Sequence, residues 1–409
     1  LIGATPRSYF RLGYGFTRQR NGTVNMHAAL SIATVLGAWK HEGGGAFHNN
    51  TNIYRWNKTL IEGLDIDAPA RMLDQSRIGE ILCGDTAALL GGGPVRAMLI
   101  QNTNPAVVAP DTNKVLEGLR RDDLFLVVHE QFMTETAALA DIVLPATMFL
   151  EHDDLYQGGG HQHIMLGQKI VDAPGVCRSN HEVISELGKR LGGSHAGFEM
   201  AENDVLRHTL EDSKRPKLDE FLEDPWFDCQ PDFDQSHYLK GFSFEDGKFR
   251  FSVDWKALLP SGYVSDDVLN TMPRLPDHWD VLESTRPETQ FCLVTAPARH
   301  FLNSSFTETK TSRRLEGRPC VMIHPLDADE CNIADGSVCQ IGNSRGQILI
   351  QAKYFEGVKR GVLVVESLWP NKSYIGGIGV NSLTGADPVA PVGGVAFHDN
   401  AVWIEAHDG

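Results

Sequence analysis

The sequence lacks several features that would place it at once in a common class of protein. No apolar run among its 409 residues approaches the roughly 18 residues that span a bilayer, which excludes a membrane-spanning chain. Basic residues are scarce, with 37 against 53 acidic residues, and the net charge of −16 disfavours binding to nucleic acid. The seven cysteines include no Cys-x-x-Cys pair. This favours a reducing compartment and disfavours a zinc or iron–sulfur site in the chain, so we expect a cytoplasmic protein, with the periplasm as the alternative.

Common fingerprints of nucleotide and hydrolase sites are also absent. No glycine-rich stretch forms Gly-x-Gly-x-x-Gly between a strand and a helix, and no glycine precedes Lys-Ser or Lys-Thr, which disfavours a Rossmann nicotinamide site and a P-loop. Gly342-Asn-Ser-Arg-Gly346 matches the hydrolase elbow, but strands flank it on both sides, so a hairpin turn is the better interpretation. Glu151–Asp154 and His161–His163 offer carboxylates and imidazoles without a third ligand at suitable spacing, and we predict no metal ligand.

The composition is typical of a globular protein, and the length predicts two or three domains. Hydrophobic residues make up 42% and charged residues 22% of the chain. Residues 1–60 are locally basic and rich in glycine, with seven basic residues against the single acid Glu42. This favours the binding of a small anionic ligand. A chance distribution of surface charge would explain the same excess of basic residues equally well.

Residues 61–194 show the pattern of a parallel sheet. Apolar strands at 97–100, 124–128 and 141–145 alternate with a helix from Asp111 to Arg121 and a short helical turn at 134–140. Ligands of such sheets lie beyond the carboxyl ends of the strands. Those ends are Asn102–Asn104, His129–Gln131 and Pro145–Thr147.

The remaining segments predict a helix, a linker and a barrel. A helix is expected from 24 to 36, ended by Gly37, and another from 181 to 192. Residues 195–288 are acidic with little periodicity, which favours an irregular linker or wrapping segment. Residues 289–409 predict an all-β barrel with one short helix at 327–331 and strands at 291–295, 321–323, 337–341, 347–354, 362–366 and 402–405.

Three groups of segments are informative through their order and spacing. The first is Arg11-Leu-Gly-Tyr-Gly-Phe-Thr-Arg18 with Gly43-Gly44-Gly45. The second is Asn102-Thr-Asn-Pro105, Phe132-Met-Thr-Glu-Thr136 and Ala140-Asp-Ile-Val-Leu-Pro145. The third is Phe301-Leu-Asn-Ser-Ser-Phe306, Trp369, Asn381-Ser-Leu-Thr384 and Gly393-Gly394. Together they resemble the molybdopterin oxidoreductase family, which includes formate dehydrogenases, dimethyl sulfoxide reductase and biotin sulfoxide reductase.

The resemblance implies a fold and a cofactor. It implies α/β cofactor-binding domains with parallel sheets, followed by an all-β double-psi barrel. Residues 1–60 would end one α/β domain, residues 61–194 would form the second, and residues 289–409 would be the dinucleotide-binding barrel. Members of the family bind two molybdopterin guanine dinucleotides around one molybdenum or tungsten atom. The expected chemistry is two-electron redox or oxygen-atom transfer on a small-molecule substrate, which the sequence does not identify.

Site residues also follow from the resemblance. It places cofactor contacts at the first glycine-rich region, at the sheet, at the triple-glycine turn Gly158–Gly160 and at the barrel: Arg18, Asn102, Asn104, Glu130, Gln131, Thr134, Gly160, Thr295, Arg299, Asn303, Ser304, Asn381 and Gly394. His161 would lie near the metal, where an imidazole can exchange protons near neutral pH.

The family's [4Fe-4S] cysteine cluster and metal-ligand residue have no counterpart here. We therefore expect the C-terminal portion of such an enzyme, inactive alone, whose partners are the N-terminal half of the same protein and an electron-transfer subunit. The alternative is a non-catalytic cofactor-binding or scaffold subunit of an electron-transfer assembly.

Overall fold

The N-terminal part of the chain is organised around one helix. In the computed structural model, which describes residues 1–66, 70–258 and 262–407, β1 (Tyr9–Arg11) pairs in parallel with β2 (Gly45–Phe47). The helix α1 (Gly22–Val35) lies between them in sequence, and Gly37 follows it with a φ of 64°, which only glycine adopts at low cost. Gly45, predicted to belong to a loop, instead begins β2, because its amide donates to the Ser8 carbonyl.

The predicted parallel sheet is confirmed. Its strands are β3 (Ala97–Gln101), β4 (Phe125–Glu130) and β5 (Ile142–Pro145), in that order and all parallel. The helices of this region are α2 (Thr59–Glu62), α3 (Ile78–Leu82), α4 (Pro105–Val108) and α5 (Thr112–Leu119). The carboxyl ends of the three strands therefore meet at one edge, where the sequence predicts the ligand.

The two faces of this sheet differ in how well they are covered. Ile100, Leu126 and Val128 are buried in a core shared with α3 and α5. The opposite face, including Leu99 and Phe125, borders a cavity of about 1380 Å³ whose other wall is a later helix. Since parallel sheets are normally covered on both faces, this second face is incompletely packed within the described residues.

Three local predictions in this region need correction. Pro105, predicted to lie in a loop, begins α4, since proline is favoured in the first turn of a helix. Asp111 does precede α5, but it has a φ of 49° and its side chain caps no backbone amide among the described residues; α5 ends at Leu119 rather than at Arg121. The helical turn expected at 134–140 is a shorter 3-10 turn, Ala137–Leu139.

Residues 195–288 are not uniformly irregular, contrary to prediction. β6 (Asp154–Tyr156), β7 (His163–Gly167) and β8 (Trp226–Asp228) form an antiparallel sheet, so this segment supplies one of its strands. The helices from this point to the barrel are α6 (Asn180–Arg190), α7 (Glu202–Asp212), α8 (Leu218–Glu223), α9 (Phe233–Ser236), α10 (Trp255–Leu258) and α11 (Asp266–Thr271). Leu210 and Phe221 pack on Ile164 of β7. The widely spaced apolar residues of this acidic segment are therefore enough to form a small hydrophobic core with the antiparallel sheet.

The predicted barrel is confirmed, with all six predicted strands present. They close in the order β10, β12, β11, β14, β9, β13. The strands are β9 (Phe291–Ala296), β10 (Cys320–Ile323), β11 (Val338–Asn343), β12 (Gly346–Tyr354), β13 (Val362–Glu366) and β14 (Asn400–Ala406), and the helices are α12 (Lys310–Glu316) and α13 (Pro325–Glu330). Alternate residues of these strands point inward, so the core consists of side chains such as Leu293, Ile341 and Leu363, all of them fully buried.

The hairpin between β11 and β12 connects the barrel to the preceding segment. Asn343 pairs with Gly346, which confirms a turn at this place. Arg345 in the turn forms a bidentate pair with Glu283, at 2.6 and 3.1 Å, and also donates to the Leu383 carbonyl. Elsewhere, no helix in the described part of the chain is long and apolar enough to cross a membrane.

Candidate cofactor-binding site

Polar side chains collect at the carboxyl edge of the parallel sheet. Glu130 ends β4, and its Oε1 accepts a hydrogen bond from the Gln131 amide at 2.7 Å. Burial raises the pKa of the Glu130 carboxyl above its ordinary value, against the opposing effect of that hydrogen bond. The Gln131 side chain donates to the carbonyl of Thr147, which follows β5. The structure thus brings Glu130 and Gln131 together, next to the end of the neighbouring strand.

The two predicted asparagines of this edge differ in how much hydrogen-bonding capacity they retain. Asn102 is exposed, has a φ of 52°, and donates to the Asn180 side chain at 3.2 Å. Asn104 is 5% exposed, and its Oδ1 accepts from both the amide and the hydroxyl of Thr136. Its Nδ2 donates to Glu135. Asn104 therefore orders the loop around α4 with its whole amide, whereas Asn102 keeps free acceptor capacity on an exposed side chain.

Thr134 lies in the loop that follows β4. Its hydroxyl oxygen accepts from the Ala137 amide at 3.2 Å, and its own amide donates to the Phe132 carbonyl. The hydroxyl hydrogen stays available as a donor. Thr134 therefore stabilises the turn while it can still contact a ligand.

The triple-glycine turn before β7 is held by residues of the N-terminal region. The Tyr54 hydroxyl, on a fully buried side chain, lies 2.6 Å from the Gly158 carbonyl and 2.5 Å from the His161 carbonyl. Asn50 also donates to the His161 carbonyl, at 2.6 Å. A Cβ at Gly160 would meet no atom within 4 Å, so the space beside this residue is open to a ligand. Tyr54 and Asn50 were missed by the sequence analysis, because each acts on a residue more than 100 positions away.

His161 has one ring nitrogen engaged within the turn. Its Nδ1 accepts from the amide of His163 at 3.1 Å, which fixes the neutral ring with its proton on Nε2. That Nε2 lies over Gly158, where a Cβ would come within 2.5 Å of it. The glycine at 158 is thus needed for the position of the His161 ring.

A second group of predicted residues converges at the barrel. Arg18, Thr295 and Asn303 line one small cavity of about 30 Å³ together with Ser367. Thr295 is 7% exposed and is the penultimate residue of β9, and the Arg18 guanidinium lies 5.5 Å from the ring centroid of Phe397. Residues from three distant parts of the sequence therefore meet at one cavity, and their contact with a cofactor stays a prediction.

The other predicted barrel residues lie outside this cavity. Arg299 is exposed, and the Ser304 carbonyl accepts from the Thr307 hydroxyl within a turn. Gly394 has a φ of 93° and donates from its amide to Asp74 at 3.3 Å. Contacts of these residues with a cofactor stay a prediction.

Asn381 joins the barrel to α4, the helix that follows the first strand of the parallel sheet. It is 1% exposed, and its Nδ2 donates to the carbonyls of Val107 and Val108 at 3.1 and 2.9 Å. Its Oδ1 is buried and has no partner within the described residues. The donor side of this amide therefore stabilises the interface, and Oδ1 alone is left for a ligand.

Ser367 was not predicted, and it adds a buried hydroxyl to the wall of the barrel cavity. Its side chain is 5% exposed, and its Oγ has no hydrogen-bond partner within the described residues. A buried hydroxyl without a partner is rare in folded proteins. A polar group with acceptor atoms, such as a pterin edge or a phosphate, would satisfy it, so the residues present fit the expected cofactor.

Comparisons with known proteins agree with this arrangement. The family model described as Molybdopterin oxidoreductase matches residues 7–190, and the model described as Molydopterin dinucleotide binding domain matches residues 291–402. The chain belongs to the molybdopterin oxidoreductase family. The predicted family is thereby confirmed; the second match includes Thr295, Asn303 and Ser367 of the barrel cavity, and the first includes Arg18.

Relatives within the molybdopterin oxidoreductase family are longer than this chain. A probable oxidoreductase of Bacillus subtilis, YoaE, is 33% identical over 99% of the chain and 57% of its own length. A trimethylamine-N-oxide reductase of Haemophilus influenzae is 25% identical over 91% of the chain and 50% of its own length. The chain thus spans about half the length of the curated relatives it matches.

A solved structure shares the fold. Acetylene hydratase from Pelobacter acetylenicus superposes with a TM-score of 0.60 at 16% identity, over 80% of this chain and 46% of that one. At this identity the likeness concerns the fold alone. It supports the combination of parallel α/β sheet and closed barrel described above.

Proposed function

We propose that this chain is the C-terminal, cofactor-binding portion of a molybdenum or tungsten oxidoreductase that carries out two-electron redox chemistry or oxygen-atom transfer. The observation that carries the proposal is the meeting of Arg18, Thr295 and Asn303 at one cavity beside the Ser367 hydroxyl, which has no partner in the described part of the chain. Family membership supplies the cofactor class, a molybdopterin guanine dinucleotide. When bound, the cofactor and its metal supply the electron chemistry, and the protein supplies orientation and a shielded pocket.

Two groups of residues would hold two dinucleotides. At the sheet edge, the half-buried Glu130 carboxylate is suited to accept hydrogen bonds from ribose hydroxyls, as acidic residues do in other dinucleotide sites. Exposed Asn102 and the side chain of Thr134 add polar contacts nearby, with Asn104 ordering the loop. On the barrel side, Arg18, Thr295 and Asn303 would hold the other dinucleotide, with Arg299, Ser304, Asn381 and Gly394 as further contacts.

His161 would move a proton at Nε2. Its Nδ1 is already an acceptor for the His163 amide, so the exchangeable proton sits on the other nitrogen. The turn that carries His161 is fixed by Tyr54 and Asn50, which keeps the ring in one place. Open space beside Gly160 would allow a pterin to approach the same turn.

The uncovered face of the parallel sheet points to further polypeptide. Leu99, Phe125 and Val127 border the 1380 Å³ cavity, and Phe125 is 50% exposed. We propose that the N-terminal half of the same protein covers this face and supplies the metal ligand and a [4Fe-4S] centre. An electron-transfer subunit would be a further partner. All seven cysteines are free, which supports the cytoplasm as the compartment.

The experiment that tests the function uses the natural full-length protein and the 409-residue chain side by side. A reduced dye serves as electron donor, and sulfoxides, amine N-oxides and nitrate serve as oxygen-atom acceptors; formate is tested separately with an oxidised dye. We expect acceptor-dependent oxidation of the donor by the full-length protein and none by the 409-residue chain. A full-length protein that binds the cofactor but turns over none of these substrates would favour the scaffold alternative instead.

A further inference from the structure

Ser367 combines three unusual properties in one residue. It is only 5% exposed to solvent, its Oγ has no hydrogen-bond partner within the described residues, and its backbone φ is 73°. A residue other than glycine in the left-handed region carries backbone strain. Strain and an unsatisfied hydroxyl at the same position point to a functional constraint rather than to packing.

The fold sets Ser367 beside Thr295. The strands β9 and β13 are parallel neighbours, with Val365 opposite Thr295 and Glu366 opposite Ala296. Ser367 directly follows β13, and its amide donates to the Ala296 carbonyl at 2.8 Å. The carboxyl ends of two parallel strands thus place the two hydroxyl residues on the wall of the same cavity.

The charge around the cavity favours an anionic or strongly polar oxygen. Arg18 contributes a guanidinium group, and Asn303 an exposed amide at the rim. His398 lies next to Phe397 in the chain, and its Nε2 is 3.4 Å from the Thr295 carbonyl. Burial lowers the pKa of His398, so this neighbour stays neutral near pH 7. Arg18 therefore provides the positive charge at the cavity.

The size of the cavity decides which part of a ligand enters it. A cavity of about 30 Å³ exceeds the roughly 10–15 Å³ that one water molecule needs, but it is far too small for a whole nucleotide or pterin. One oxygen atom of a larger molecule lying outside does fit. We infer that Ser367 is a further cofactor-contacting residue, whose hydroxyl donates a hydrogen bond to a single acceptor oxygen of the dinucleotide on the barrel side. The inference rests on the proposed function.

The test compares Ser367→Ala with the matched control Ser344→Ala in the full-length protein. Ser344 is an exposed serine in the β11–β12 turn. Two quantities are measured for each variant, the guanine nucleotide bound per chain after dilution and the melting temperature of the cofactor-free protein. We expect Ser367→Ala to weaken dinucleotide retention about two- to tenfold, as for the loss of one hydrogen bond. Its cofactor-free melting temperature should not fall, since an unpaired buried hydroxyl is removed.

A second variant separates the hydroxyl from the backbone strain. Ser367→Gly relieves the cost of the left-handed φ and should raise the melting temperature of the cofactor-free protein, while it weakens dinucleotide retention as Ser367→Ala does. Retention equal to that of the wild type in both variants would overturn the inference and would indicate that a water molecule satisfies Oγ. A wild-type protein that binds no dinucleotide would instead overturn the proposed function.

Discussion

The Asn381 amide donates to the Val108 carbonyl at 2.9 Å, so that a loop of the barrel caps the end of α4 in the sheet region. The Asn371 side-chain amide donates in the same way to the Ala106 carbonyl of α4, at 2.8 Å. At its other end, α4 is preceded by the N-cap residue Asn104, beside the predicted ligand edge of the sheet. The helix α4 therefore connects the two proposed cofactor-binding regions directly.

Replacing Asn381 by alanine should destabilise this connection. Asn381→Ala leaves the carbonyls of Val107 and Val108 without their donor, and we expect the free energy of unfolding to fall by about 1–3 kcal/mol. Chemical denaturation measures the effect. The control, Asn203→Ala at an exposed position of α7, should change the free energy by less than about 0.5 kcal/mol. Equal effects of the two substitutions would show that the cap does not stabilise the protein.

The phenol of Tyr54 should hold the triple-glycine turn. Tyr54→Phe removes contacts with the carbonyls of Gly158 and His161 and an acceptor for the Gly158 amide, at a fully buried position. We expect a loss of about 1–3 kcal/mol in unfolding free energy and faster hydrogen exchange at the Gly158 amide. Tyr9→Phe, at a tyrosine that is 54% exposed, is the control. Unchanged exchange at Gly158 would contradict the assigned role.

Asp399 should make stability depend on pH. It is 4% exposed, its Oδ2 accepts from the amides of Arg20 and Leu282, and burial raises its pKa above the ordinary value. A carboxyl whose pKa is raised by folding contributes stability below its unfolded pKa and loses it as pH rises through the folded pKa.

The variant Asp399→Asn removes this titration. Relative to the wild type, its unfolding free energy should therefore increase as the pH rises from about 4 to 7, because the wild type acquires a buried charge over that range. Urea denaturation of both proteins at each pH measures the difference. A difference that stays constant with pH would show that Asp399 does not titrate differently in the folded state.

Much of the fold follows from local sequence patterns, because alternation of period two marks strands that are buried on one side. Leu293 and Leu363 are fully buried at such positions, and both lie in predicted strands. The helices α7 and α8 were missed because their acidic residues obscure the few apolar positions, such as Leu210, that pack on β7.

The site is less predictable, since its key contacts are long-range. Arg345 was correctly predicted to lie in a turn, yet its partners Glu283 and Asn400 are 62 and 55 residues away in sequence. No local sequence pattern predicts an ion pair or hydrogen bond between residues so far apart in the chain. Ser367 shows a partial signal: it directly follows a strand parallel to the one that carries Thr295, which places it at the same edge of the barrel. That it is unpaired and strained is visible only in three dimensions.

The most direct test of the account is the cofactor content of the natural full-length protein. Elemental analysis and nucleotide quantification on the same sample give the ratio of metal to guanine dinucleotide per chain. The account predicts one molybdenum or tungsten atom and two dinucleotides, since the sheet edge around Glu130 would hold one and the barrel residues around Ser367 would hold the other from outside their small cavity. A protein that is folded and purified under reducing conditions with neither metal nor dinucleotide would contradict it.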